Sequence, residues 1–104
     1  MAFFIKAGVQ MNGLMLPMRK VLIAVESIYK RMGYDTVVTS ALDGTHSAGS
    51  LHYYGYALDF RTRHVAADKI SALVDDVKKA LGPNYFVLFE GDHLHVDYRA
   101  IIKG

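Results

Sequence analysis

Two short stretches carry the residues that can do chemistry. SLHYYGYALDF, from Ser50 to Phe60, sets His52 and Asp59 seven residues apart with Gly55 between them. EGDHLHVDY, from Glu90 to Tyr98, places His93, His95 and Asp97 at alternate positions behind Asp92. Two neutral imidazoles and one carboxylate with an open fourth position make a catalytic type of zinc site. Zinc held in that way lowers the pKa of a water to roughly 7 and polarises a carbonyl. Hydrolysis also needs a base near the water and a donor for the developing oxyanion. The segment EGDHLH supplies candidates for both. The chain has no cysteine, which excludes disulfides and thiolate ligands and leaves His and carboxylate as the metal donors. Zinc suits this set, and other divalent ions fit the same ligands.

These side chains meet only if the backbone brings them together. In an extended Tyr56–Arg61, Ala57, Asp59 and Arg61 point one way and Tyr56, Leu58 and Phe60 the other. In the last run His93, His95 and Asp97 share one side and Leu94, Val96 and Tyr98 share the opposite one. Neighbouring strands, with a bend at Gly55, would let His52, Asp59 and His95 converge.

The rest of the chain reads as the elements that do this positioning. Pro17 suits a first helical turn, and MRKVLIAVESIYKRM has apolar residues at helical spacing, closed by Gly33. Tyr34 to Ser40 is a β-branched run expected to be a strand, and ALDGTHSAGS reads as a loop. HVAADKISALVDDVKKALG reads as a second helix stopped by Gly82-Pro83. YFVLFEGDHLHVDY is two strands joined by a two-residue turn at Gly91-Asp92. The expected fold is α+β: a small, mostly antiparallel sheet with two helices on one face and the metal site on the other.

At 104 residues the chain fits one domain, spanning 1–104. Its net charge of +2 comes from Lys and Arg interleaved with Asp and Glu, so no nucleic-acid stripe is present. No run approaches the ~20 apolar residues of a membrane span. The N-terminal apolar stretch is broken by Gln10, Asn12 and Pro17, unlike a signal peptide. The expectation is a monomer made in the cytoplasm, with no nucleic-acid or membrane partner.

Ser50-x-His52-x-x-Gly55-x-Ala57-x-Asp59, followed by Asp92-His93-x-His95, resembles the zinc D-Ala-D-Ala carboxypeptidases and L-alanyl-D-glutamate endopeptidases. These are peptidoglycan peptidases of the group that includes lysostaphin-type enzymes and the hedgehog domain. The order of elements resembles the family's order over most of the chain. The resemblance implies a hedgehog/D-Ala-D-Ala peptidase-like fold and Zn2+ on His52, Asp59 and His95. It implies that Asp92 is the base, that His93 helps hold the substrate carbonyl or tetrahedral intermediate, and that Ser50 binds near the substrate carboxylate. The implied reaction is attack of a zinc-bound water on a peptidoglycan peptide bond involving D-amino acids. The small size suits a phage lytic enzyme that reaches the cell wall by release or delivery.

One departure is visible. Family members commonly carry an arginine in the loop after the TS strand, and SALDGTHS has none. Arg61 or Arg63 is the candidate replacement, and the absence favours endopeptidase over carboxypeptidase action. His46 is either a solvated loop residue or a substrate contact. Glu90 competes with Asp92 for the base role, because the turn makes it the cross-strand partner of His93, and Asp after Gly is also ordinary turn chemistry. The alternative function is a catalytically inactive metal-binding module, such as a structural or adaptor component of a phage particle. A metal-free domain with incidental histidines is the third reading.

Overall fold

The computed structural model describes residues 1–43 and 50–100. Five strands, β1 (Phe3–Ile5), β2 (Thr36–Ser40), β3 (Ala57–Arg61), β4 (Tyr85–Phe89) and β5 (His93–Tyr98), form one sheet in the order β1-β2-β3-β5-β4. β1 runs parallel to β2 and the other pairs are antiparallel, so the sheet is mixed. The helices are α1 (Met18–Met32) and α2 (Ile70–Leu81).

Alternation along the strands divides the sheet into a core face and a site face. Val38, Leu58, Phe60, Val87, Leu94 and Val96 pack with Val21, Val25 and Tyr29 of α1 and Leu73, Val77 and Leu81 of α2 in one buried cluster. Burying each such side chain contributes about 1.5–3 kcal/mol. The opposite face carries Asp59, Arg61, His93, His95 and Asp97. In register, Asp59 lies across from His95, Arg61 from His93 and Ala57 from Asp97. The α+β expectation, with two helices on one face of a mostly antiparallel sheet, matches this architecture.

Some element bounds differ from expectation. The first long strand begins at Thr36 rather than Tyr34, because the Tyr34 N–H, just past α1, is spent closing the helix end. Gly33, at φ +90°, donates its N–H to Lys30 O, and Tyr34 donates to Tyr29 O, which closes the helix carbonyls. The second helix begins at Ile70, not at His64. Val65 N–H is spent in a turn to Thr62 O, and Ala67–Lys69 is a 3₁₀ turn whose last N–H bonds Ala66 O. The N-terminal apolar stretch supplies an edge strand, β1, and then ties down the site. Leu42 N–H bonds Gln10 O, and Met15 N–H bonds Gly55 O. Within the described residues no helix is long and apolar enough to cross a membrane.

Candidate metal centre

His52 does not lie on a strand. It sits in a 3₁₀ turn over Leu51–Tyr54 capped by Ser50, whose Oγ accepts the His52 N–H at 3.2 Å. Gly55 ends the turn at φ +79°, a conformation that side chains disfavour. A Cβ there would also stand 2.3 Å from the Gly13 carbonyl oxygen, so the glycine is required by packing as well. This turn drops His52 over the site face, where it is almost fully buried at 2% exposure.

The ring of His52 is oriented from behind. Its Nδ1 lies 2.7 Å from Ala41 O, which only accepts, so Nδ1 carries the hydrogen and Nε2 faces the site bare. Ala41 is fixed in turn by its N–H bond to Asp43 Oδ1. His95 is oriented in the same manner with the nitrogens exchanged. Its Nε2 lies 2.7 Å from Asp97 Oδ2, leaving Nδ1 toward the site. Arg99 grips Asp97 through Nε at 2.8 Å and a second guanidinium nitrogen at 3.2 Å, and lies 3.9 Å over the Phe86 ring.

Three ligand atoms therefore face one another. His95 Nδ1 is 3.0 Å from Asp59 Oδ1, His52 Nε2 is 3.2 Å from the same oxygen, and the two nitrogens are 3.3 Å apart. A tetrahedral ion with ligands about 2.0–2.1 Å away sets them roughly 3.3–3.4 Å apart. The group His52, Asp59 and His95 thus has the spacing and the donor atoms to hold a metal ion. In the neutral tautomers each of these atoms presents a lone pair and no hydrogen lies between them. Only a cation or an added proton relieves that crowding.

The proton affinities show the same strain. Burial works to raise the Asp59 pKa, yet hydrogen bonds and charge from His52 and His95 hold it well below the usual carboxylate range. Burial works to lower that of His95, and its bonds to Asp59 and Asp97 overcome this and push it up to about 9. A metal ion bound at His95 would have to displace that proton.

Asp92 and His93 stand at the edge of the triangle. Glu90 N–H donates to His93 O at 2.8 Å, and Asp92 N–H donates to Glu90 O at 2.9 Å, a γ-turn centred on Gly91 at φ +78°. This turn, rather than strand alternation, aims the Asp92 side chain, and its Oδ1 accepts from His93 Nδ1 at 2.8 Å. His93 Nε2 is 3.8 Å from Asp59 Oδ2 and 3.4 Å from Glu90 Oε1. Burial opposes the charged form of His93, but the bond to Asp92 and the charges of Asp59 and Glu90 raise its pKa. The His93 bond lowers that of Asp92.

Arg61 shares the Asp59 face as the strand phase predicts. It lines an open cleft of about 240 Å³ with Lys6, Thr39 and Arg63, bounded by Asp59, Asp92 and His93. His46 lies outside the described residues. Ser50 acts locally as the cap of the His52 turn. Asp43 and Arg99, which fix the groups behind His52 and His95, carry no sequence signal that marks them for these tasks. No family model, curated protein or solved structure matches the chain.

Proposed function

We propose that this chain is a zinc peptidase of the hedgehog/D-Ala-D-Ala peptidase arrangement. It cuts peptidoglycan stem or cross-link peptides containing D-amino acids, with endopeptidase action preferred. The observation that carries the reading is the triangle of ligand atoms on His52, Asp59 and His95, with the two imidazoles oriented by separate partners, the Ala41 carbonyl and Asp97. Asp97 and the Ala41 carbonyl are the kind of support that metal-binding imidazoles have. The motif resemblance adds the substrate class.

When bound, the ion supplies Lewis-acid polarisation of the peptide carbonyl and lowers the pKa of water. The chain's own residues supply the rest. Asp92 has a side chain that is 76% exposed, so its carboxylate meets water in the cleft. It takes a proton from the attacking water and returns it to the leaving amine. His93, held at Nδ1 by Asp92, presents its Nε2–H to the carbonyl oxygen as negative charge develops there. Glu90, in contact with the same Nε2, is the competing base. The protein works as a monomer at the cell wall after release or delivery.

The test is metal content by elemental mass spectrometry, followed by hydrolysis of muropeptides with and without chelator. About one zinc per chain, lost in His52→Ala, with chelator-sensitive cleavage, is expected. Zinc retained without cleavage of any muropeptide would identify a metal-binding module instead. No uptake of zinc would end the metal reading.

A further inference from the structure

The 3₁₀ turn that carries His52 has an outer surface as well as an inner one. While His52 drops inward, Tyr53 and Tyr54 stay largely exposed. Met15 and Leu16 come alongside, because the Met15 N–H bonds Gly55 O at 2.9 Å. The approach is close: a Cβ on Gly55 would stand 3.3 Å from Met15 Cγ. The side chains of Met15, Leu16, Tyr53 and Tyr54 are between 42% and 68% exposed. Single apolar residues at a surface are ordinary, but a group gathered from two places in the sequence is the kind of patch that marks a binding surface.

Other tyrosines of the chain are used differently. Tyr56 stacks on Tyr98, and the Tyr98 ring centre lies 5.1 Å from that of Tyr85, so these rings support the fold. Tyr54 has no side-chain hydrogen bond or ring contact among the described residues. The backbone beneath it is nonetheless fixed. Tyr53 N–H bonds Ser50 O at 3.2 Å, and Tyr56 N–H bonds Leu51 O at 3.0 Å. A firm turn that displays tyrosine rings offers contact area at little entropic cost.

The place of the patch points to its occupant. It lies on the turn that supplies one corner of the metal triangle, so a molecule bound there adjoins the bond presented to the metal. In peptidoglycan the stem peptide is joined at its first residue to a glycan strand, which puts a sugar ring next to the bonds at that end. One face of a pyranose is lined by C–H groups, apolar and slightly positive, and its rim is polar. Tyrosine offers a negative ring face and a hydroxyl at the edge. The four side chains carry no charge, which suits a neutral sugar and gives nothing to an anionic lipid surface.

We infer that Tyr53 and Tyr54, with Met15 and Leu16 beside them, form a glycan subsite that takes a pyranose ring of the strand carrying the stem peptide. The inference rests on the peptidase reading for the position of the scissile bond, but not for sugar binding itself.

The experiment compares a disaccharide-bearing muropeptide with the same peptide freed of its sugars, and adds a peptide-free N-acetylglucosamine oligosaccharide as a third probe. Binding by NMR titration and hydrolysis by mass spectrometry are followed with the purified full chain and with Tyr54→Ala, Tyr54→Phe and Leu16→Ser. Zinc content and thermal melting are recorded for each. The wild type is expected to favour the sugar-bearing peptide on the order of 10-fold. The oligosaccharide alone is expected to shift amide signals at Met15, Leu16, Tyr53 and Tyr54. Tyr54→Ala is expected to lose most of the preference through a rise in KM, whereas Tyr54→Phe keeps it because the ring face remains. Oligosaccharide shifts at the patch without cleavage of any muropeptide would sustain the subsite while removing the peptidase reading. Cleavage without preference for the sugar-bearing peptide would leave the peptidase reading and overturn the subsite. A preference that survives in folded Tyr54→Ala would overturn it too, as would patch signals that move with anionic vesicles or protein concentration and not with sugar. Should Tyr54→Ala melt early, the wild-type titration and Leu16→Ser decide, and silent patch signals would overturn the subsite.

Discussion

His95 offers Nδ1 to the cleft because Asp97 occupies its other nitrogen, and Asp97 is steady because Arg99 holds both of its oxygens. Asp97→Asn places an amide that can donate where the ring needs an acceptor. Zinc affinity should fall about 10–100-fold, as for other partners of metal-bound imidazoles. Competition against a chromophoric chelator measures this, and an unchanged affinity would remove Asp97 from the account. The base is tested by a pair of variants. Asp92→Asn should lower kcat on the order of 10²–10⁴-fold with zinc retained, whereas Glu90→Gln should keep most turnover. The opposite pattern would assign the proton to Glu90. His52, Asp59 and His95 were legible in the sequence because alternation and one glycine determine where they point. Asp43 and Arg99 were not, since a salt link or a bond to a backbone N–H depends on neighbours that only the fold supplies.

At the scale of elements, the apolar periods of α1 and α2 and the Gly91-Asp92 hairpin could be read directly, because each is a local property. The N-terminal stretch could not. β1 is three residues long, and its partner β2 lies more than thirty residues away. Tertiary pairing, not propensity, makes it a strand. The 3₁₀ turn at His52 likewise depends on Gly55 lying against Gly13, a contact invisible in sequence. Gly55→Ala combines a left-handed φ with a Cβ pressed into a backbone carbonyl. Destabilisation of about 1–3 kcal/mol or more is expected from chemical denaturation. Zinc affinity should fall with it, because the displaced turn carries His52. A stable variant with normal zinc binding would show that the turn tolerates another path.

At the scale of the whole molecule, a proton and the proposed metal ion would compete for the centre of the site. His95 has its pKa raised from an ordinary 6.5 to about 9, so the stability it contributes is fully present below about 6.5 and is lost as pH rises through about 9. Asp59 works in the other direction, adding stability above its ordinary 3.8 that disappears as pH falls toward its depressed value. The chelated protein should therefore melt at a lower temperature at pH 9.5 than at pH 6. On the proposed function zinc should restore the loss, since an ion held by His52, Asp59 and His95 would bind the folded state and take the proton's place. Calorimetry at both pH values checks this, and a chelated protein that melts no earlier in alkali would contradict it. The β5–β3 pairing has a further, kinetic consequence. Asp59 and His95 sit opposite each other on two inner strands of the sheet, whereas Asp92 and His93 sit at the hairpin end. Backbone amides around the ligands should exchange with deuterium only through opening of much of the sheet, and those of the tip through local fraying. An ion held by Asp59 and His95 would therefore rest on the slowly opening part of the sheet. Asp92 and His93, the proposed base and its partner, would rearrange on the fast clock of local fraying.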